Sequence, residues 1–477
     1  MNASDFQALL PILVPGITSL VLLLVIAFFR NNRLATGITL AGLALAGYCL
    51  AQAADSGAVA VGILFTVDGF SLVFIGLTLA AAILITLLAS GSMEDLDFNR
   101  EEFYVLLLLA TCGACALAAS SHFVSLFLAL ELLTVPIYAM VAYRYRREES
   151  LEAGVKYLVL AALSSAFLLF GMALIYGELG TMRFSELLVE MMVVDAYRPA
   201  MVLTGSALML VGIGFKLSLV PFHMWTPDIY QGASAPVGAF LATISKGAVV
   251  AVTLRFFIES GAYHQAGLMT ALSVIAVATM FFGNLLALLQ TNVKRLLGYS
   301  SIAHMGYMLV AFIVGGLRGS EAVTFYLFTY FVTSLGAFGA IAVLSRGEEE
   351  PDTQVALRGM ARRHPMVGAL MTFSMLSLAG VPLTAGFLGK AWVLSTGVLF
   401  NTKILVGTLI VSSAIGLYYY LRVILNLYAR DAEPAIPVER VPLAGAVALG
   451  VAGVTTLWLG LYPTPVLELI RLAVAGL

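Results

Sequence analysis

Five titratable residues stand where an apolar chain should carry none. Glu131 lies in the run 122–142, Lys216 in 200–221, Lys246 in 233–258, His304 in 296–316 and Lys390 in 366–397, each a stretch long and apolar enough to cross a bilayer. An ionisable side chain at the bilayer centre costs about 2.5–3.5 kcal/mol on insertion scales, so such groups face a protein interior or a wet cavity. The chemistry open to a carboxylate, three amines and an imidazole in that setting is proton transfer.

Of the 27 acidic residues, Glu131 alone falls in the middle of a span, and Lys216 is its expected partner. The two lie on helices whose breaks match, with Pro136 five residues after the first and Pro221 five residues after the second. The plainer alternative is a fixed ion pair that only locks two helices, but a hydrophobic pair would do that at less cost. Lys246 and Lys390 have no acid partner evident in the sequence, and a lysine buried without a counter-charge can load and release a proton near neutral pH. Lys246 lies about 20 Å along the helix from Ala233, too deep for its ammonium to snorkel to the surface. Arg255 and Arg422, near span ends, are expected to snorkel. His304 sits in SSIAHMGYM beside the hydroxyls of Ser300 and Ser301; it reads either as a proton relay or as a hydrogen-bonded packing group. His223, two residues past Pro221, marks a helix break near the inner side.

The elements that hold these residues follow from composition. The chain has 477 residues, 61% hydrophobic and 11% charged, with a mean hydropathy of +1.00. A water-facing globule cannot bury that much apolar surface, so lipid is the solvent for much of the exterior. The apolar runs fall near 8–29, 34–53, 69–90, 103–120, 122–142, 157–177, 200–221, 233–258, 267–290, 296–316, 322–345, 366–397, 404–428 and 441–461. They predict an all-α polytopic membrane protein of about fourteen transmembrane helices. Strand-like alternation is absent, which disfavours a β-barrel. The first run has neither a basic leader nor a small-residue cleavage pattern, so it is expected to be retained.

An even number of crossings puts both termini on one side. Fifteen of the 25 Lys and Arg residues, among them Arg144, Arg146, Arg147, Lys294, Arg295 and Arg440, fall in one set of loops. Five fall in the other: Arg183, Arg198, Arg318, Lys403 and Arg471. The excess of positive charge inside then places both termini outside. The net charge of -2 and the lack of a basic tract argue against a nucleic-acid partner. Cys112 and Cys115 form a CxxC inside an uncharged run with no further ligands nearby, and read as small core thiols. No phosphate-binding loop, haem motif or iron–sulfur cysteine set is present, so the chain is expected to carry neither nucleotide nor electrons.

Two spans must unwind. KLSLVPFHMWTPDIYQGASAP carries Pro221, Pro227 and Pro236 after Lys216, and SLAGVPLTAGFLGK carries Gly380, Pro382, Gly386 and Gly389 before Lys390. Broken, lysine-bearing helices at spans seven and twelve are five spans apart, which predicts two inverted five-helix repeats. The expected segments are 1–102, three N-terminal helices; 103–260, the first repeat, spans four to eight; 261–430, the second repeat, spans nine to thirteen; and 431–477, the last helix and tail. Each repeat would supply one half-channel, joined at midplane by the titratable residues. Moving a proton against 100 mV takes about 2.3 kcal/mol, within reach of making or breaking one lysine ion pair.

The runs GFKLSLVPFHMWTPDIYQGA at 214–233, NLLALLQTNVKRLLGYSSIAHMGY at 284–307, SLAGVPLTAGFLGK at 377–390 and GLYYYLRV at 416–423 resemble the antiporter-like subunits of respiratory complex I. That superfamily also holds Mrp-type Na⁺/H⁺ antiporters and membrane hydrogenase subunits. Within it, SLEAGVKYLVL at 150–160 and a lysine at 390 are most similar to subunit N of bacterial NADH:quinone oxidoreductase. The resemblance implies a non-redox, proton-translocating subunit of the bacterial inner membrane with both termini periplasmic. Glu131, Lys216, Lys246 and Lys390 would be its proton-carrying residues. It also implies that FMN, iron–sulfur clusters and quinone belong to other subunits, and that the partners are neighbouring antiporter-like and small membrane subunits together with lipids.

Overall fold

The computed structural model describes residues 2–93, 99–193, 199–430 and 441–477; Arg198, Arg440 and the opening of the 431–477 segment lie outside them. The chain is helical almost throughout. Helices α1 (Ala3–Phe28) and α2 (Asn32–Asp55) lead into an antiparallel hairpin, β1 (Val59–Val61) with β2 (Phe65–Val67), in which Val59 faces Val67. Then come α3 (Gly69–Ser92), α4 (Glu102–Ala118), α5 (Phe123–Val141), α6 (Glu148–Leu179), α7 (Phe184–Val193), α8 (Pro199–Lys216) and α9 (Trp225–Gly232). Helix α10 (Ala235–Phe240) runs through one π-helical turn, Leu241–Ser245, into α11 (Lys246–Glu259). The rest are α12 (Ala266–Leu288), α13 (Val293–Val314), α14 (Gly316–Leu344), α15 (Met360–Arg363), α16 (Pro365–Ala379), α17 (Ala385–Leu399), α18 (Lys403–Leu427), α19 (Leu443–Leu461) and α20 (Thr464–Val474).

Among the described residues, eleven helices, with α10–α11 counted as one, are long and apolar enough to cross a membrane unaided. The shorter apolar helices α4, α8, α16 and α17 occupy the expected spans four, seven and twelve. Beyond the break at Pro221 the chain forms the short helix α9 before span eight begins. Pro227 falls in its first turn, where a missing backbone N–H goes unused.

Both expected breaks are present and share a backbone pattern. At the end of α16, Gly380 (φ +85°) reverses the chain, Gly380 N–H donates to the carbonyl of Ser377 and Val381 N–H reaches back to that of Leu376. At the end of α8, Ser218 (φ +61°) does the same, with Ser218 N–H on Phe215 and Leu219 N–H on Gly214. This is the left-handed helix cap, which satisfies carbonyls that would otherwise be orphaned at depth.

A second correspondence runs through the chain at a fixed offset of 170 residues. Phe123 N–H donates to Met182 as Val293 N–H does to Asp352; Phe184 N–H donates to Ser121 as Gln354 N–H does to Thr291. The isolated bridge His122–Arg183 recurs as Asn292–Thr353. Gly113 lies so close to the backbone of Leu133 that a Cβ would come within 2.3 Å of its nitrogen, and Gly283 lies against Ala303 in the same way at 2.6 Å.

Burial sorts the helices. In α10–α11 every position of the most apolar stretch is enclosed, in α14 94% and in α13 89%, against 33–39% in α1, α2, α6, α12, α18 and α19. Lys246 and His304 therefore ride on helices surrounded by protein.

Candidate functional site

Lys390 is held by the break its own span creates. Its Nζ donates at 2.9 Å to the carbonyls of Leu378 and Ala379, the last two residues of α16, and at 2.9 Å to Ser413 Oγ on α18. A cation at a helix C-terminus meets both the free carbonyls and the negative end of the helix dipole. The ammonium also lies 5.1 Å from the centre of the Tyr307 ring. Gly380 makes the room: a Cβ there would lie 2.9 Å from Lys390 Cδ and 3.2 Å from Nζ.

Lys246, 1% exposed, opens α11 directly after the π turn, a deformation that often accompanies functional sites. Its Nζ donates to Ser301 Oγ at 2.6 Å, which also accepts from Tyr330 at 2.7 Å and lies 3.5 Å from Tyr230. One turn along α13, His304 continues the row: Nδ1 is 2.7 Å from the Tyr326 hydroxyl and Nε2 is 3.3 Å from that of Tyr420. Tyr420 in turn hydrogen-bonds Ser300. Tyr307, a further turn on, accepts from Asn284 at 2.7 Å, and Asn284 accepts from Tyr419 at 3.0 Å. Ser300, Ser301, His304 and Tyr307 thus present a polar stripe that begins at Lys246 and ends at the ring beneath Lys390.

Glu131 and Lys216 form no direct ion pair, a correction to the sequence reading, although the carboxylate stays near enough to act on the ammonium through space. Glu131, only half-buried, accepts from Ser165 at 2.6 Å, and Lys216 Nζ donates to Thr134 Oγ1 at 3.0 Å. Thr134 lies nearly one turn beyond Glu131 on α5 and takes the place the carboxylate was expected to fill. A cavity of about 10 Å³ borders Lys216 and is walled by apolar residues of α4, α5, α6 and α11 with Thr253; it is near the smallest volume that holds one water. Among the described residues no side-chain hydrogen bond joins the Lys216 group to the Lys246 group.

Of the two arginines expected to snorkel, Arg255 does not, while Arg422 is half-buried at the end of its span. Arg255 is 1% exposed and forks onto Asp68 at 2.7 and 3.0 Å, with Glu259 at 3.2 Å, so it pins α11 to the N-cap of α3. Arg422 donates to the carbonyls of Leu288 and Gln290 at the end of α12. Cys112 and Cys115 are free and buried, and Cys112 Sγ lies 3.2 Å from the Ile12 carbonyl. His223 is buried in the break after Pro221.

One charged group was not visible in the sequence. Arg144, Lys294 and Glu350, counted as loop or helix-end residues, are wholly buried together: Arg144 is 3.0 Å from Glu350 Oε1, and Lys294 binds Glu350 Oε2 and approaches Asp352 at 3.5 Å. Burial by itself pushes the Glu350 carboxyl up. The charges of Arg144 and Lys294, with hydrogen bonds from Lys294 and the Ala235 amide, outweigh it and hold the group down at about 2. Nothing in GEEEPD distinguishes Glu350 from Glu348 and Glu349 beside it.

Residues 120–416, more than half the chain, match the family described as NADH:quinone oxidoreductase/Mrp antiporter, transmembrane. A chain of respiratory complex I from Thermus thermophilus, in a structure with bound Aureothin, is 35% identical; the match covers 96% of this chain and 98% of that one with a TM-score of 0.83. A chain of an archaeal membrane-bound sulfane sulfur reductase is 25% identical over 99% of this chain and 97% of that one, with a TM-score of 0.86. A chain of the Mrp complex from Dietzia sp. DQ12-45-1b has the same TM-score at 23% identity, with 99% and 97% covered, a likeness of fold. The fold and the buried polar row define a polytopic membrane protein of the antiporter-like class. The chain belongs to the NADH:quinone oxidoreductase/Mrp antiporter family, and its counterparts are subunits of multi-subunit membrane complexes.

Proposed function

We propose that this chain is the subunit-N-type, proton-translocating and non-redox membrane subunit of an NADH:quinone oxidoreductase, with Glu131, Lys216, Lys246 and Lys390 as proton carriers and His304 as a relay. The observation that carries this reading is the stripe on α13. Between Lys246 and Lys390 stand hydroxyls and an imidazole, groups that accept and donate a proton without holding a net charge. Ser301 receives the hydrogen bond of the Lys246 ammonium, and Tyr330 supplies the next hydroxyl. His304 bridges two tyrosines through its two ring nitrogens, the geometry that lets one nitrogen take a proton as the other gives one up. Lys390 leans on carbonyls that cannot carry a proton onward, so its exit is the Ser413 hydroxyl.

The recurrence at 170 residues supports two repeats over spans four to eight and nine to thirteen, and an odd number of crossings per repeat makes them inverted. In that arrangement both termini are periplasmic, the membrane is the bacterial inner one, and FMN, iron–sulfur clusters and quinone sit in neighbouring subunits. Lys246→Ala in the intact complex tests the reading. Electron flow from NADH to a hydrophilic acceptor should persist while proton pumping into inverted vesicles falls at least tenfold. Full pumping would take Lys246 out of the path, and sodium-dependent proton flux by the chain alone in liposomes would favour the Mrp-type alternative.

A further inference from the structure

The joint between spans seven and eight is held by side chains from elsewhere in the chain. Helix α9 ends at Gly232 and α10 begins at Ala235; Ala233 N–H still closes α9 on Ile229 and the Ser234 carbonyl still accepts from Gly238, which leaves the Ala233 carbonyl and the Ala235 N–H outside the helical ladders. Ser234, at the N-cap position, makes no capping bond, and its hydroxyl is buried without a partner. The cap comes instead from Glu350: Oε1 accepts from Ala235 N–H at 2.9 Å, while Oε2 binds Lys294, whose Nζ also donates at 2.9 Å to the Ala233 carbonyl. A carboxylate at a helix N-terminus satisfies an orphan donor and meets the positive end of the dipole. Arg144, with side-chain nitrogens that find no hydrogen-bond acceptor, adds its charge from the loop after α5.

Lys294 and Ser301 are seven residues apart on α13, two turns, and so lie on one side of it. Span eight is thereby fastened to span ten at two levels: at its start through Lys294 and Glu350, and at Lys246 through Ser301. The π turn Leu241–Ser245 lies between the two fastenings, where one extra residue per turn shifts the register of α11 relative to α10.

We infer that Glu350 is a positioning residue: by capping α10 it sets the height of span eight against span ten, and with it the contact between Lys246 and Ser301. The inference rests on the proposal that Lys246 carries protons, and the test separates the two. In the intact complex, Glu350→Gln should lower pumping at least tenfold with NADH-to-acceptor flow retained, and should speed hydrogen exchange at the amides of residues 235–247. Adding Ser234→Asp to Glu350→Gln returns a carboxylate to the cap from the helix's own chain and should restore both pumping and slow exchange. Failure of that rescue while Glu350→Asp pumps normally would overturn the inference, because Glu350 would then act as a carrier or packing group rather than as a cap. Unchanged exchange in Glu350→Gln would overturn it too. Lys246→Ala serves as the control: it should abolish pumping and leave exchange at residues 233–240 slow, and normal pumping in it would sink the proton-carrier reading while the exchange results still judged the cap.

Discussion

Replacing Gly380 by alanine should damage both stability and pumping, and the two losses have separate causes. Gly380 adopts φ +85°, and an L-residue there costs about 1–2 kcal/mol. The new Cβ would also stand 2.9 Å from Lys390 Cδ and 3.2 Å from Nζ, so the lysine must shift, and the expected outcome is the loss of one of its carbonyl acceptors. A hydrogen bond from a charged donor contributes about 1.5–3 kcal/mol, which brings the sum to roughly 2.5–5 kcal/mol. Gly180 supplies the internal control. It closes α6 with φ +72° and has open space where a Cβ would go, so Gly180→Ala should cost only the backbone part, about 1–2 kcal/mol, with pumping intact. Both variants can be measured in the intact complex by NADH-driven acidification of inverted vesicles and by thermal unfolding of the purified protein. Equal destabilisation with equal pumping in the two would refute the claim that Gly380 makes room for the lysine.

The buried clusters at the two ends of the bundle give two further tests. Glu350 titrates at about 2 when folded, against 4.5 for an ordinary glutamate, so the folded state gains stability above pH 4.5 that is lost as pH falls from there toward 2. The gap corresponds to about 3 kcal/mol; the wild-type chain should lose a little over half of that margin on acidification from pH 5 to 3, a loss Glu350→Gln should not share, and parallel unfolding curves would contradict the assignment. At the other end, Arg255→Ala leaves Asp68 buried and unpaired at a cost of about 3–5 kcal/mol, whereas Arg255→Met with Asp68→Asn should cost much less. Additive effects in that double-mutant cycle, read by unfolding, would show that the pair is not coupled.

The spans were legible because lipid demands about twenty apolar residues in a row and leaves little freedom in how to supply them. The breaks were legible because Pro221 and Pro382 cannot continue a helix. Lys246 and Lys390 were legible because a single charge in an apolar run is conspicuous. Their surroundings were not. Matching Glu131 to Lys216 by their distances to Pro136 and Pro221 fixes depth along two helices but not the direction each residue faces, and a helix turns by about 100° per residue. Thr134, on the same helix, faces the lysine instead. Arg255 failed in the opposite sense: its place near a span end suggested a route to water, but Asp68 sits 187 residues earlier in the chain and no local pattern links them.

A deeper reason concerns what proton transfer needs. Searching a sequence for the partner of a buried lysine means searching for an acid, because opposite charge is the only partner that composition makes visible. A carboxylate fixed beside an amine would hold the proton rather than pass it. Groups that pass it on must be neutral and able both to give and to receive, which describes Ser300, Ser301, His304, Tyr326, Tyr330 and Tyr420. His304 with Ser300 and Ser301 was visible in SSIAHMGYM, but the tyrosines of α14 and α18 look like ordinary packing residues, and only their convergence on α13 reveals them. The carboxylate that does sit tightly on a buried lysine, Glu350 on Lys294, lies at the end of the bundle and holds two helix termini in place. Charge pairing fastens the frame of this molecule, and neutral hydroxyls line the path between its isolated amines.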